Sequence, residues 1–292
     1  MMFQIGATHC SWVANEDSMA EALAALQEAD AIAVDVEGDC LGHGGRAATI
    51  QLATESACFV VDLAALGVSA GLRMLLQGDR PVKVCHGFSN DQINLIEQYG
   101  IDFADAALFD TQVAADILEE QEGGDKEGRS VIDILARYTS APASVLAEMK
   151  AMKEMLRYVN FFERPLPENV VRYSCLDVVF LGSAYSAMLK RFDELGLAAL
   201  TDVMEQSRYR GPWGRGSCYQ PPTANQRKSK AQQGKAWCEK TRDWVRSGPE
   251  DGTNGRGGGG GYRSNGKGKW GKSSGGYGSE GKGVAQPRVS WL

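Results

Sequence analysis

Two carboxylates, Asp35 and Glu37, close the apolar run Ala31-Ile32-Ala33-Val34 of this 292-residue chain. In a strand, residues two apart point to the same face, so both acids project together beside a core. Ionising both there is costly, because desolvation and a neighbouring like charge each raise a carboxylate pKa. A divalent cation between them removes the conflict. The same Asp-x-Glu spacing recurs at Asp125 and Glu127, but in a polar glycine-rich loop where solvated acids need no cation. Asp91 follows the short apolar run after Pro81 and falls in the first turn of the next helix, where the helix dipole alone accounts for an acid. Tyr173 and Asp177 are four apart and share one face of an otherwise apolar helix, a spacing that a surface hydrogen bond also satisfies.

These side chains need elements to hold them. Thr8 to Ala14 reads as a first strand. Asn15-Glu16-Asp17-Ser18 then offers an N-cap for a helix over Met19 to Ala29. Ala31 to Val36, Ala48 to Ala53 and Ala57 to Leu63 read as three strands of an antiparallel meander. A helix over Ser69 to Gln77, a buried strand over Val82 to His86 and an amphipathic helix over Ser89 to Tyr99, ended by Gly100, follow. Helices dominate from there: Thr111 to Glu119, Ser130 to Tyr138, Ala143 to Arg157 and one long segment, Glu168 to Leu195. The polar stretch Gln121 to Gly128 reads as a flexible insertion. The expected architecture is α/β, a mixed sheet flanked by helices, with a helical C-terminal part.

Taken in order, the candidate residues resemble the DEDDy branch of 3'-5' exonucleases, the family of ribonuclease D and the exosome-associated exonucleases. The likeness spans most of residues 8 to 195. It rests on Val34-Asp35-Val36-Glu37-Gly38, on the strand Thr49 to Thr54, on Lys83 to Asp91, on Phe109-Asp110-Thr111, and on Arg164-Pro165-Leu166 followed by Tyr173 and Asp177. The resemblance implies a ribonuclease H-like fold. It also implies that Asp35, Glu37, Asp91 and Asp177 coordinate two Mg2+ or Mn2+ ions while Tyr173 orients the attacking water. An unperturbed phenol has a pKa of about 10, so Tyr173 is read as a hydrogen-bonding group and not a base. The implied activity is metal-dependent 3'-5' hydrolysis of single-stranded nucleic acid, RNA ahead of DNA. Phe161 and Phe162 stand where many ribonuclease D chains carry tryptophan, and no helical accessory domain follows. The nearest likeness is to stand-alone exonuclease-domain proteins, some of which act by binding RNA, so an RNA-binding adaptor is the alternative. Phe88 and Phe162 are candidates for stacking on bases, core packing being the other reading.

Charge divides the chain. From Ser207 onward 17 Lys and Arg face 5 Asp and Glu, a net of +12, whereas residues 1 to 206 carry a net of −18. A folded exonuclease domain over residues 1–205 and a basic tail over 206–292 are the expected parts. The tail holds 20 of the 35 glycines and too few aliphatic side chains to offset ordering entropy, which predicts disorder. Arg256, Arg263, Lys267, Lys269, Trp270 and Lys272 lie among its glycines, a pattern suited to phosphate neutralisation and base stacking. The same tail offers a surface for protein partners. The seven cysteines show no paired short spacing, so neither a zinc ribbon nor a disulfide framework is expected. With no leader-like or membrane-spanning run, the sequence reads as an intracellular protein, cytoplasmic or nuclear.

Overall fold

A computed structural model of the protein describes residues 1–123, 130–156, 159–196 and 199–208. The chain opens with a short hairpin, β1 (Met2–Ile5) and β2 (Thr8–Val13). Asn15 caps α1 (Glu16–Gln27): its side chain accepts the Ser18 N–H at 2.9 Å, and the Ser18 hydroxyl accepts the Asn15 N–H in return, a reciprocal capping box. β3 (Ala31–Asp39), β4 (Arg46–Ala53) and β5 (Ala57–Asp62) form the antiparallel meander expected from their patterning. Next come α2 (Leu63–Leu66), α3 (Ala70–Gln77), β6 (Val82–Cys85), α4 (Ser89–Tyr99), β7 (Leu108–Asp110) and α5 (Thr111–Glu122). The remainder is helical: α6 (Val131–Tyr138), α7 (Ala143–Leu156), α8 (Glu168–Val179), α9 (Leu181–Glu194) and α10 (Ala199–Arg208).

The seven strands pair in the order β1-β2-β5-β4-β3-β6-β7. β3, β6 and β7 run parallel to one another, so their C-terminal ends open on one edge. A hydrophobic core lies on each face. On one, Val34, Val36, Ile50 and Leu52 pack against Leu26, Leu72, Leu76 and Leu95 of the first helices. On the other, Ala33, Ala48, Ala53 and Phe109 meet Val113, Val171, Leu176 and Met188 of the later helices. Three alanines on that second face leave room for α8 to lie close over β3, β4 and β5.

Several elements depart from expectation. β1 and β7 are extra strands; they are only 4 and 3 residues long, too short for a periodic pattern to register. The long helix expected over Glu168 to Leu195 is two helices, broken at Phe180, whose ψ is −6. The apolar run Val178-Val179-Phe180-Leu181 carries no Gly or Pro to announce that break. α10, also unexpected, continues the packed body to Arg208, with Ser207 1% exposed. Residues 124–129 of the loop read as an insertion, and the tail beyond residue 208, lie outside the described residues.

Candidate active site

The pleat of β3 acts as the sequence requires. Val34 and Val36 enter one core, while Asp35 and Glu37 point to the face covered by α8. Glu37 pairs with Thr49, after which the register slips and Gly38 pairs with Ala47. Such a bulge re-aims a strand where a site is built. It also explains Gly38, because a Cβ there would stand 2.0 Å from the Arg46 carbonyl oxygen.

Asp91 reaches the same edge from β6 through a turn that is held from β7. The Asp110 carboxylate accepts the N–H groups of Gly87 at 2.9 Å and Phe88 at 3.0 Å, and also that of Gln112 at 2.9 Å, which caps α5. One buried side chain thus ties the start of α5 to the turn that delivers Asp91. Thr111 reinforces it: its hydroxyl donates to the Cys85 carbonyl at 2.9 Å and lies 2.9 Å from His86 Nδ1. From the far end of the described chain, the Ser207 hydroxyl accepts the Asp110 N–H and the Ser207 carbonyl accepts from the Gln92 side chain. The family resemblance included Phe109-Asp110-Thr111 without a role; the hydrogen bonds supply one.

Tyr173 and Asp177 come from α8, whose approach is fixed by a two-point ion pair. Arg164 donates from Nε and Nη2 to the two carboxylate oxygens of Asp62, both at 2.6 Å. The same guanidinium also donates to the Phe161 and Glu163 carbonyls and lies over the Trp12 ring. Asp62 in turn caps α2. The anchor therefore joins the end of β5 to the segment that enters α8.

Asp35, Glu37 and Asp177 each offer an oxygen within 4.8 Å of the others. Asp91 stands outside that group, yet its charge bears on Glu37 and that of Asp35 on it. Burial pushes all four carboxyls up. Asp35 is raised from 3.8 to about 7 by desolvation. Glu37, Asp91 and Asp177 lie well above the usual range, first from desolvation and then from neighbouring carboxylates. Among the described residues, Lys153 on α7 acts against this and draws Glu37 and Asp177 down; sequence reading missed it, because an exposed lysine on a helix is ordinary. Tyr173 is 6% exposed, and burial together with Asp177 and Glu37 holds its phenol protonated. Asp177 Oδ1 is buried without a hydrogen-bond partner. Four oxygen-donor acids and one orphaned oxygen fit a hard divalent cation, which prefers such ligands and removes their repulsion.

Other candidates fall elsewhere. Phe88 is 1% exposed and meets Phe103 edge-on, so it is core and not a stacking platform. Phe162 is half-buried beneath the Arg46 guanidinium, 4.1 Å from its ring centre. Three glycine amides of the loop before Arg46 are taken up within the fold. Gly42 N–H donates to Asn94, Gly44 N–H to Glu97 and Gly45 N–H to Gly42 O. Arg256, Arg263, Lys267, Lys269, Trp270 and Lys272 lie outside the described residues.

A family model described as 3'-5' exonuclease matches residues 10–193. The chain is 30% identical over 172 residues to Protein RRP6-like 3 of Arabidopsis thaliana, covering 58% of this chain and 17% of that protein. It is 32% identical over 148 residues to Ribonuclease D of Gluconacetobacter diazotrophicus, covering 50% and 34%. It therefore spans well under half the length of these relatives. Its fold is similar to that of Trypanosoma brucei RNase D in complex with RNA U12, with a TM-score of 0.54 and 20% identity over 80% of this chain and 78% of that one.

Proposed function

The chain belongs to the 3'-5' exonuclease family, and from that premise we propose that it hydrolyses single-stranded nucleic acid from the 3' end, RNA ahead of DNA, with two divalent ions, Mg2+ or Mn2+. The convergence of Asp35, Glu37 and Asp177, with Asp91 in electrostatic reach and Asp177 Oδ1 unpartnered, carries this reading. An adaptor has no chemical need for four desolvated acids. Asp35, Glu37, Asp91 and Asp177 would hold the ions, which when bound supply a nucleophilic water near neutral pH and charge stabilisation on the leaving oxygen.

The remaining work falls to the protein's own groups. Tyr173, kept protonated, donates a hydrogen bond that orients the attacking water. Lys153, already facing Glu37 and Asp177, meets the phosphate that enters beside them. Arg46 and Phe162, stacked at the start of β4, offer a cation and a ring to the last nucleotides. The domain's acidic surface repels a polyanion; the tail residues Arg256, Arg263, Lys267, Lys269, Trp270 and Lys272 offset that repulsion by gathering RNA. The preference for RNA is supported by the ribonuclease relatives and by the RNA held in the T. brucei neighbour.

Degradation of RNA and DNA oligonucleotides labelled at either end, with Mg2+, Mn2+ or EDTA, tests the proposal. The expected result is metal-dependent release of mononucleotides from 3' ends, faster on RNA, and abolished by Asp35→Ala. Tyr173→Phe should lower kcat by about a hundred-fold with KM little changed, the size of effect seen when one positioned donor is lost. Tail-dependent RNA binding without any cleavage would leave the adaptor reading in its place.

A further inference from the structure

Three thiols that take no part in the carboxylate site converge behind it. Cys10 on β2 stands opposite Cys58 on β5 in the parallel register, and Cys175 meets them from α8, which packs across both strands. Their sulfurs lie within 4.8 Å of one another, and the three residues are 1%, 0% and 0% exposed. Cys175 is two residues from both Tyr173 and Asp177, a rotation of about 200° around the helix. It therefore lies on the flank of α8 turned away from the acids.

We propose that Cys10, Cys58 and Cys175 form a trigonal site for a single Cu(I) ion that fastens α8 to β2 and β5. An all-sulfur donor set selects soft cations over the hard ones that the carboxylates favour. The dimensions agree: a metal about 2.3 Å from each of three coplanar sulfurs places those sulfurs about 4 Å apart, within the observed spread. Coordination number argues for copper over zinc. Among the described residues the group contains no fourth His, Cys, Asp or Glu, and the surrounding core, Val60, Val171 and Leu176 among it, is apolar. Structural Zn2+ takes four ligands, whereas three thiolates complete a Cu(I) shell. Charge is manageable. Binding as three thiolates releases three protons to solvent and leaves a net charge of minus two, which the Arg172 guanidinium, already acting on Cys10 and Cys175 from beside Glu148, partly offsets. Closure by the core makes loading a part of folding, or of a transient lifting of α8, and makes loss of the ion slow.

The test uses the reduced full-length protein, both folded and refolded from denaturant, equilibrated without oxygen against Cu(I) held by a competing chelator. X-ray absorption reads the copper environment, and calorimetry reads the melting temperature. The expected result is one copper per chain with three sulfur neighbours and a raised melting temperature. Cys58→Ala and Cys175→Ala, made separately, should each weaken copper retention by more than about a hundred-fold, the upper range for disturbing even an indirect partner of a metal. Cys85→Ala, which removes an equally buried thiol outside the cluster, should retain it. No copper in either preparation of the wild type overturns the proposal. So does copper held equally by both cluster variants, which places it on other cysteines. Because the readout requires no hydrolysis, this inference and the nuclease reading fail separately.

Discussion

Asp35 shows how a single side chain links the site to the stability of the fold. Its carboxyl is raised from 3.8 to about 7 in the folded protein, so between those values the folded state binds more protons than the unfolded chain. Stability must therefore fall as pH rises through that interval, the reverse of an ordinary salt-bridged aspartate. Glu37, Asp91 and Asp177 shift in the same direction and extend the effect upward in pH. In EDTA, the melting temperature should decline from about pH 5 to about pH 8. Saturating Mg2+ should flatten that decline, and Asp35→Asn should flatten it without metal. Parallel curves with and without Mg2+ would mean that the acids hold no ion. Both Asp35 and Glu37 were legible in the sequence, because an acid pair ending an apolar strand is a local conflict visible without coordinates. Lys153 was not, since its importance comes from a helix that packs over the site from more than a hundred positions away in the chain.

At the scale of elements, the site is a meeting of strand ends. Asp35 and Glu37 lie near the end of β3, Asp91 just past β6 and Asp110 at the end of β7, three parallel strands that finish on one edge. Asp110 holds no metal in this reading; it positions Asp91 by accepting two amides of the turn before α4. Asp110→Asn keeps the size of the side chain but can hold fewer of those three donors. It should cost about 1–2 kcal/mol of stability, the range for a lost helix cap, and lower kcat more than it raises KM. A chain stable to that extent but fully active would show that the turn is held by other means. The meander and the extent of α4 followed from patterning, and a cap within Asn15 to Ser18 from its polar side chains, although α1 begins at Glu16 and not at Met19. β7 and the break at Phe180 did not, because a 3-residue strand has no period and an unbroken apolar run conceals a change of helix.

For the whole molecule, the opposed charges of the two regions bear on the proposed capture of RNA. The folded region is acidic, and the basic residues are concentrated after Ser207. A chain ending at Arg208 should bind single-stranded RNA more weakly than the full protein. The slope of its affinity against salt concentration should be shallower, because fewer phosphates are neutralised. An unchanged slope would assign phosphate contact to the folded region alone. No helix among the described residues is long and apolar enough to cross a membrane. The Cys10, Cys58 and Cys175 cluster belongs to this scale too: its members come from three distant stretches, and nothing in their spacing along the chain announced their meeting.

The hydrogen bonds of Ser207 to Asp110 and Gln92 have a bearing on synthesis. All four acids leave the ribosome before the residue that locks the turn carrying Asp91. A nascent chain thus holds all four acids before those two hydrogen bonds can form. Completion of α10 then brings Ser207 to Asp110 and Gln92, and it comes only after the other described elements have been translated.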